Sequence, residues 1–312
     1  MAIERNAEKS LLDALYCEEE KWGDVEEEDD VESSITFTLN DAANSNVSLS
    51  PLLLLEQDLF WDDEELQTLF SKERETRPES NGGTAFSLSL ARKESVEWIL
   101  GINAHYGFSA LTAILAVNYL DRFLCSLTVP KDKPWMMQLA AVTCLSLAAK
   151  VEETDVPLLL DLQVEGTKYV FESKTIQRME LLVLSGLKWR MNPVTPVSFL
   201  DHIIRRLGLK SYVHWEFLRS CENLLLSVAS DPRFTLYLPS VLATATMLHV
   251  IHRFEPCSAV DYEHQLLGVL KINKEEVDEC YEVITERRRV EEQQMRVASL
   301  SRVFVEAVGS PH

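Results

Sequence analysis

From Leu139 to Ala149, eleven consecutive residues carry no charge, and most are small: Ala140, Ala141, Cys144, Ser146, Ala148 and Ala149 are among them. Asp132, Lys133 and Pro134 precede the run. Proline in the first turn of a helix loses nothing, because its missing N–H has no partner there in any case. A helix that is apolar on most faces has no side to show to water and must be packed around by others. Small side chains let those neighbours come close. This stretch alone calls for a helical bundle with a central helix. The pattern returns 105 residues later, where Pro239 opens a second helix of small residues, with Ser240, Ala243, Thr244, Ala245 and Thr246. Two such helices imply two bundles in tandem, joined near Met191–Thr195, beside Pro193 and Pro196.

The rest of the chain after residue 88 agrees. Prolines and glycines fall between apolar-periodic stretches, and no alternating strand pattern competes. Helices are predicted over 89–106, 109–127, 133–151, 156–164, 173–187, 195–207, 210–230, 239–253, 259–269 and 274–306. Thr195 before Pro196, and Ser173, read as helix starts. Three segments follow: an arm over 1–87, a first bundle over 88–192, and a second bundle with a terminal helix over 193–312. The fold class is all-α.

The arm is set apart by charge. The chain has 50 Asp and Glu against 30 Lys and Arg, a net of −20. Residues 1–87 hold 23 acids and 6 bases, whereas residues 88–312 hold 27 and 24. With short apolar islands in acidic surroundings, residues 1–50 bury too little to offset ordering entropy, and the arm reads as mostly disordered. Residues 52–70, with Leu55, Leu59, Leu66, Leu69 and Phe70, read as an amphipathic helix that docks on the body. Residues 71–84, ending in Asn81-Gly82-Gly83, read as a linker.

This charge balance excludes a phosphate-driven nucleic-acid binder, which needs clustered Lys and Arg. No apolar run is seen to reach the ~18–20 residues that span a bilayer. Met1–Lys9 is polar, unlike a signal peptide, so an intracellular chain is expected. The six cysteines are scattered without a CxxC pair and read as free thiols. No catalytic motif of the GxSxG, HExxH or P-loop type is present. His249 and His252 share a helix face, but without metal-spaced Cys or carboxylates they read as structural histidines. Neither metal nor cofactor is expected.

Two constellations carry function. Leu15, Cys17 and Glu19 form Leu-x-Cys-x-Glu. In an extended peptide alternate side chains face one way, so these three enter one groove together. The surrounding acids add long-range attraction to a basic rim. The motif resembles the peptide that binds the pocket of retinoblastoma-family proteins. The second constellation is in the body. Arg92 with Val96–Leu100, Ala116–Leu124, Leu139–Glu153 and Arg178–Leu184 resemble, in order and spacing, a cyclin box. Thr195–Leu200 looks like the start of the C-terminal cyclin fold. With the Leu-x-Cys-x-Glu arm, the chain resembles the D-type cyclins of plants, most of all their third class, over roughly residues 10–285.

The resemblance implies roles. Lys150 and Glu180 match the pair that contacts the kinase. Arg92 and Asp121 match an internal ion pair, and Leu139 matches a core position. Trp98, Met137 and Gln138 match a groove that docks Arg-x-Leu peptides. There the chain departs from its family, because Ala91 and Glu94 replace apolar positions and Gly101 replaces an acid, so weak docking is expected. The implied function is that of a regulatory subunit, not an enzyme, which activates a cyclin-dependent kinase and directs it to a retinoblastoma-related protein. The same resemblance implies promotion of the transition from first gap phase to DNA replication, with kinase inhibitor proteins as further partners and the nucleus, or also the cytoplasm, as its place. A cyclin-fold transcription scaffold without kinase activation is the alternative. Ser50-Pro51 and Ser310-Pro311 are minimal phosphorylation sites, and Arg287-Arg288-Arg289 reads chiefly as a solvated helix face.

Overall fold

The computed structural model describes residues 64–76, 85–126, 134–163, 168–207, 212–254, 256–257 and 259–308. The arm through residue 63, including Leu15, Cys17 and Glu19, lies outside the described residues, as do Ser50 and Ser310. Among the described residues ten α-helices carry the fold: α1 (Glu64–Thr76), α2 (Ala85–Tyr106), α3 (Ala110–Ser126), α4 (Pro134–Glu152), α5 (Ser173–Gly186), α6 (Pro196–Leu207), α7 (Tyr212–Val228), α8 (Pro239–Phe254), α9 (Ala259–Leu270) and α10 (Lys274–Val308).

The first bundle is α2–α5, with α4 at its centre. Every residue from Leu139 to Ala149 is buried, as the uncharged run requires. Ile99 and Ile102 of α2, Tyr119 and Phe123 of α3, and Ile176 and Val183 of α5 close around it. Pro134–Glu152 is 19 residues, long and apolar enough by composition to cross a membrane, contrary to the reading that no such run exists. Its apolarity is instead spent inside the protein, where 72% of its most apolar window is buried. The second bundle is α6–α10 around α8, whose Val241, Ala243, Ala245, Met247 and Leu248 meet Phe199, Leu200, Cys221, Val277 and Ile284. The expected repeat of a small-residue central helix is present in both.

Helix ends follow local chemistry. Gly107 has φ 68°, where only glycine is unstrained, and it stops α2 with Gly107 N–H donating to Ala104 O (3.3 Å) and Phe108 N–H to Asn103 O (3.1 Å). Ser109 Oγ accepts from Thr112 N–H (3.1 Å) and starts α3. Ser173 is the first residue of α5 rather than its cap, and the Glu172 side chain makes no capping bond.

Three readings are corrected. The described part of the helix expected over 156–164 is not an α-helix but a turn and one 3-10 turn, Asp161–Gln163. Pro157 lacks an N–H, and Leu158 and Leu160 are exposed, so only Leu162 and, in part, Leu159 meet the core. The segment is held instead by Gln163, which accepts from Phe171 N–H (2.7 Å) and donates to Phe171 O (2.9 Å). Second, the linker expected from residue 71 starts later, because α1 continues to Thr76. Lys72, Glu73, Arg74 and Glu75 favour helix, and the breakers Pro78, Gly82 and Gly83 come afterwards. Third, an unforeseen 3-10 turn, Pro232–Leu236, follows Asp231, whose Oδ1 accepts from Arg233 N–H (3.0 Å).

The amphipathic helix expected near residues 52–70 is therefore α1. It packs on the second bundle through Leu66, Leu69 and Phe70, with the Phe70 and Phe199 rings 5.4 Å apart.

Candidate functional site

Lys150 ends the uncharged run in the last turn of α4, and Glu180 lies on α5 between the core residues Met179 and Val183. The structure brings them together. Lys150 Nζ donates to Glu180 Oε1 (2.7 Å) and Oε2 (2.8 Å). Ser146 Oγ, one turn earlier on α4, also donates to Glu180 Oε1 (2.6 Å). The carboxylate is sunk, with 10% of its side chain exposed, while 43% of Lys150 is open. Lys150 keeps donors free towards water while it neutralises the sunk carboxylate, and Ser146 adds a second bond to the acid.

The surroundings are apolar and uncovered. Leu181, next to Glu180, is 61% exposed, and Val151, next to Lys150, is exposed as well. Leu158 and Leu160, on the segment leaving α4, and Val170, on the segment approaching α5, are also exposed. Val151 and Leu181 adjoin the pair in sequence, so the ion pair has an exposed apolar side chain next to each of its partners. Below it, Glu153 Oε1 accepts from Ser109 N–H (2.8 Å) and from Thr112 Oγ1, which fixes the end of α4 to the start of α3.

Arg92 and Asp121 also meet. Nε donates to Oδ1 (2.6 Å) and Nη2 to Oδ2 (2.8 Å), a bidentate pair. Arg92 goes further than the sequence suggested. Its Nη1 donates to Ser230 O and its Nη2 to Ala229 O, both at 3.3 Å, so it ties α2 and α3 to the end of α7 in the other bundle. Burial opposes the charge, yet the bonds and charge of Asp121 hold its pKa above the ordinary arginine value. Leu139 is buried in the first core, as its position requires.

The three groove residues stand differently. Trp98 is half-buried against the first core and Met137 is buried. The Gln138 amide is already engaged, donating to Tyr169 O (2.8 Å) and accepting from Lys168 N–H (3.2 Å) and Tyr169 N–H (3.3 Å). Glu94 is exposed, and a Cβ at Gly101 would meet nothing within 4 Å, so the acid expected of the family is replaced by open space.

His249 and His252 face Tyr281 of α10, with ring centroids 5.6 and 5.5 Å away. Burial, then the charge of Arg288, lowers the His249 pKa. The five described cysteines are free thiols, with Cys144, Cys221 and Cys280 buried. Arg287 and Arg288 both pair with Glu291 along α10, in keeping with a solvated face.

Sequence reasoning missed Glu73. Its Oε2 accepts from Ser240 N–H (3.0 Å) and its Oε1 from Ser240 Oγ (2.8 Å), so α1 caps α8 across 167 residues. Pro239-Ser240 announces a helix start, but no local signal says that the cap comes from so far away. Ser146 was missed too, because a serine among alanines reads as a small packing residue.

Two bundles of this topology, each threaded by a buried small-residue helix, with a Lys–Glu pair at the open end of the first, define a class. The Cyclin, N-terminal domain family matches residues 64–192, and the Cyclin, C-terminal domain family matches residues 194–302. The chain belongs to the cyclin family, among the D-type cyclins of plants. It is 57% identical to Cyclin-D3-1 of Arabidopsis thaliana over 284 residues, which cover 90% of this chain and 72% of that protein. It is 46% identical to Cyclin-D3-2 of the same plant over the full length of both. The viral cyclin from herpesvirus saimiri shares the fold, with a TM-score of 0.58 at 17% identity over 71% of this chain and 97% of that one.

Proposed function

We propose that this chain is the regulatory subunit of a cyclin-dependent kinase, not itself an enzyme, and that Lys150 and Glu180 form the centre of its kinase-binding face. The observation that carries this reading is the self-satisfied ion pair at the end of α4, ringed by exposed Val151 and Leu181, in a family whose members regulate kinases. The apolar ring supplies the area and desolvation of a docking surface. The Lys150 ammonium supplies donors for backbone carbonyls of the partner. In a protein kinase the helix to be held carries the Glu that must pair with the ATP-binding Lys. A cyclin that binds only the arrangement with that pair formed shifts the kinase population towards it without any chemistry of its own.

Substrate choice falls on the arm. Leu15, Cys17 and Glu19 supply two apolar side chains and one anion at alternate positions, the chemistry of a retinoblastoma-related pocket. The complex then phosphorylates that repressor in the nucleus and promotes the passage from first gap phase to DNA replication. Kinase inhibitor proteins are further partners.

Co-purification with a plant cyclin-dependent kinase, followed by phosphate transfer to a retinoblastoma-related protein, tests the reading. The complex forms and activates the kinase; Lys150→Glu abolishes both. Cys17→Ala with Glu19→Ala leaves activation of a peptide substrate unchanged and removes retinoblastoma-related binding. A stable chain that binds no such kinase overturns the proposal.

A further inference from the structure

The turn between α5 and the second bundle is built against local preference. Lys188 and Trp189 have φ of 54° and 57°, two successive left-handed residues with no glycine. Bulky side chains are rarely found there, and such strain persists only where the surroundings over-determine it. They do so here. Lys188 N–H donates to Ser185 O (3.0 Å), Trp189 N–H to Leu184 O (2.9 Å) and Arg190 N–H to Leu187 O (3.1 Å). From α3, Tyr119 OH donates to Met191 O and Arg122 Nη1 to Arg190 O (3.0 Å). The product of this strain is a tryptophan held out in water, 67% exposed.

Beside it runs an open groove of about 600 Å³ between α1, the end of α3 and this turn. Lys72, Arg122, Lys188 and Arg190 line it, against a single acid, Glu75. In a chain of net charge −20 this is a local inversion of sign. Among the described residues no ion pair joins Arg122, Lys188 or Arg190 to a carboxylate. Burial chiefly, and Arg190 to a smaller extent, lower the pKa of Arg122. A groove with four cations against one acid and an indole at its rim is complementary to an anionic, extended ligand.

We propose that this groove is a docking site for an acidic peptide segment of a partner protein, with carboxylates along Lys188, Arg190 and Arg122 and a side chain laid on Trp189. A carboxylate-rich peptide is favoured over a single phosphate because these three cations come from two separate segments along a groove far larger than one anionic group. The site lies at the seam of the two bundles and uses neither Lys150 nor Glu180, so it is independent of the kinase-binding reading.

The test is fluorescence anisotropy with the full chain and a fluorescein-labelled twelve-residue peptide of alternating Glu and Asp around one Tyr, at low ionic strength. Saturable binding that weakens with added salt is expected. Lys188→Glu with Arg190→Glu weakens it at least about tenfold, since two attractive charges become repulsive. Trp189→Gly is the second variant. It relieves the left-handed backbone, so thermal stability holds or rises, yet it weakens peptide binding about threefold or more. Absence of saturable binding overturns the proposal, as does equal binding by the charge-reversal variant. Tighter binding of a phosphoserine peptide or of an oligonucleotide, lost in the same variants, overturns it in favour of a phosphate site.

Discussion

The two central helices, α4 and α8, are built alike and finished differently. Both open on proline, both are lined with alanine, serine and threonine, and both vanish into their bundles. The start of α8 is clamped by Glu73, and its last turns lie against Tyr281 of α10. The end of α4 carries Lys150 into half-open space, with exposed Val151 beyond it. The interior of such a helix follows from packing alone, whereas function depends on whether its ends are covered. The end of α8 also reaches water, at Arg253 and Phe254, so what sets the two apart is the ion pair that α4 carries at its end and the buried cap that supports the start of α8.

The comparison can be broken experimentally. The largest effect is expected at the seam. Arg92→Ala leaves the partly buried Asp121 and two carbonyls without their donor, and should cost about 3 kcal/mol, the low end for a buried pair, in urea unfolding of the whole chain. A loss below 1 kcal/mol would mean that the bundles hold without their clasp. Next is Glu180→Gln, which keeps the shape and the Ser146 bond but removes the charge. Kinase affinity should fall by about 2–5 kcal/mol, as for a buried charge that loses its match at an interface, with the melting temperature almost unchanged. Glu73→Ala at the other helix should reverse that pattern. Stability drops by about 1–3 kcal/mol, since Ser240 loses both its bonds, and kinase affinity stays the same. If each variant changed both properties alike, the division into support and surface would fail.

Two smaller effects sharpen the picture. Burial raises the Glu73 pKa above its ordinary 4.5, so the folded chain holds that proton more tightly than the unfolded chain. As pH rises from 4.5 through the raised value, the wild type should lose part of its stability to this group, and Glu73→Gln should not. The difference between their unfolding free energies across that window is the measurement. Calorimetry of an Arg-x-Leu peptide should show only weak binding, because Gln138 already bonds Lys168 and Tyr169 and Gly101 offers no acid. Low-micromolar affinity would contradict this.

Much of the fold was legible because it rests on periodicity. The run Leu139–Ala149 and its echo after Pro239 are the central helices α4 and α8. Residues 156–164 misled because four leucines and two valines look like a helical face, and only the fold decides how few have a core to meet. Lys150 and Glu180 were legible through their family, but their pairing was not, since 30 residues separate them. Glu73 was hidden for the same reason at greater length. Local chemistry marks where a helix needs a cap, while the long-range path of the chain decides who supplies it.

Arg92 has a mechanical consequence. Its guanidinium is shared between an acid of the first bundle and two carbonyls of the second, so neither bundle can melt without discarding bonds that belong to the other. The pair should behave as a single cooperative unit, with one calorimetric transition instead of two. A load applied to the first bundle is thereby felt by the second as well, so the two halves move as one rigid part.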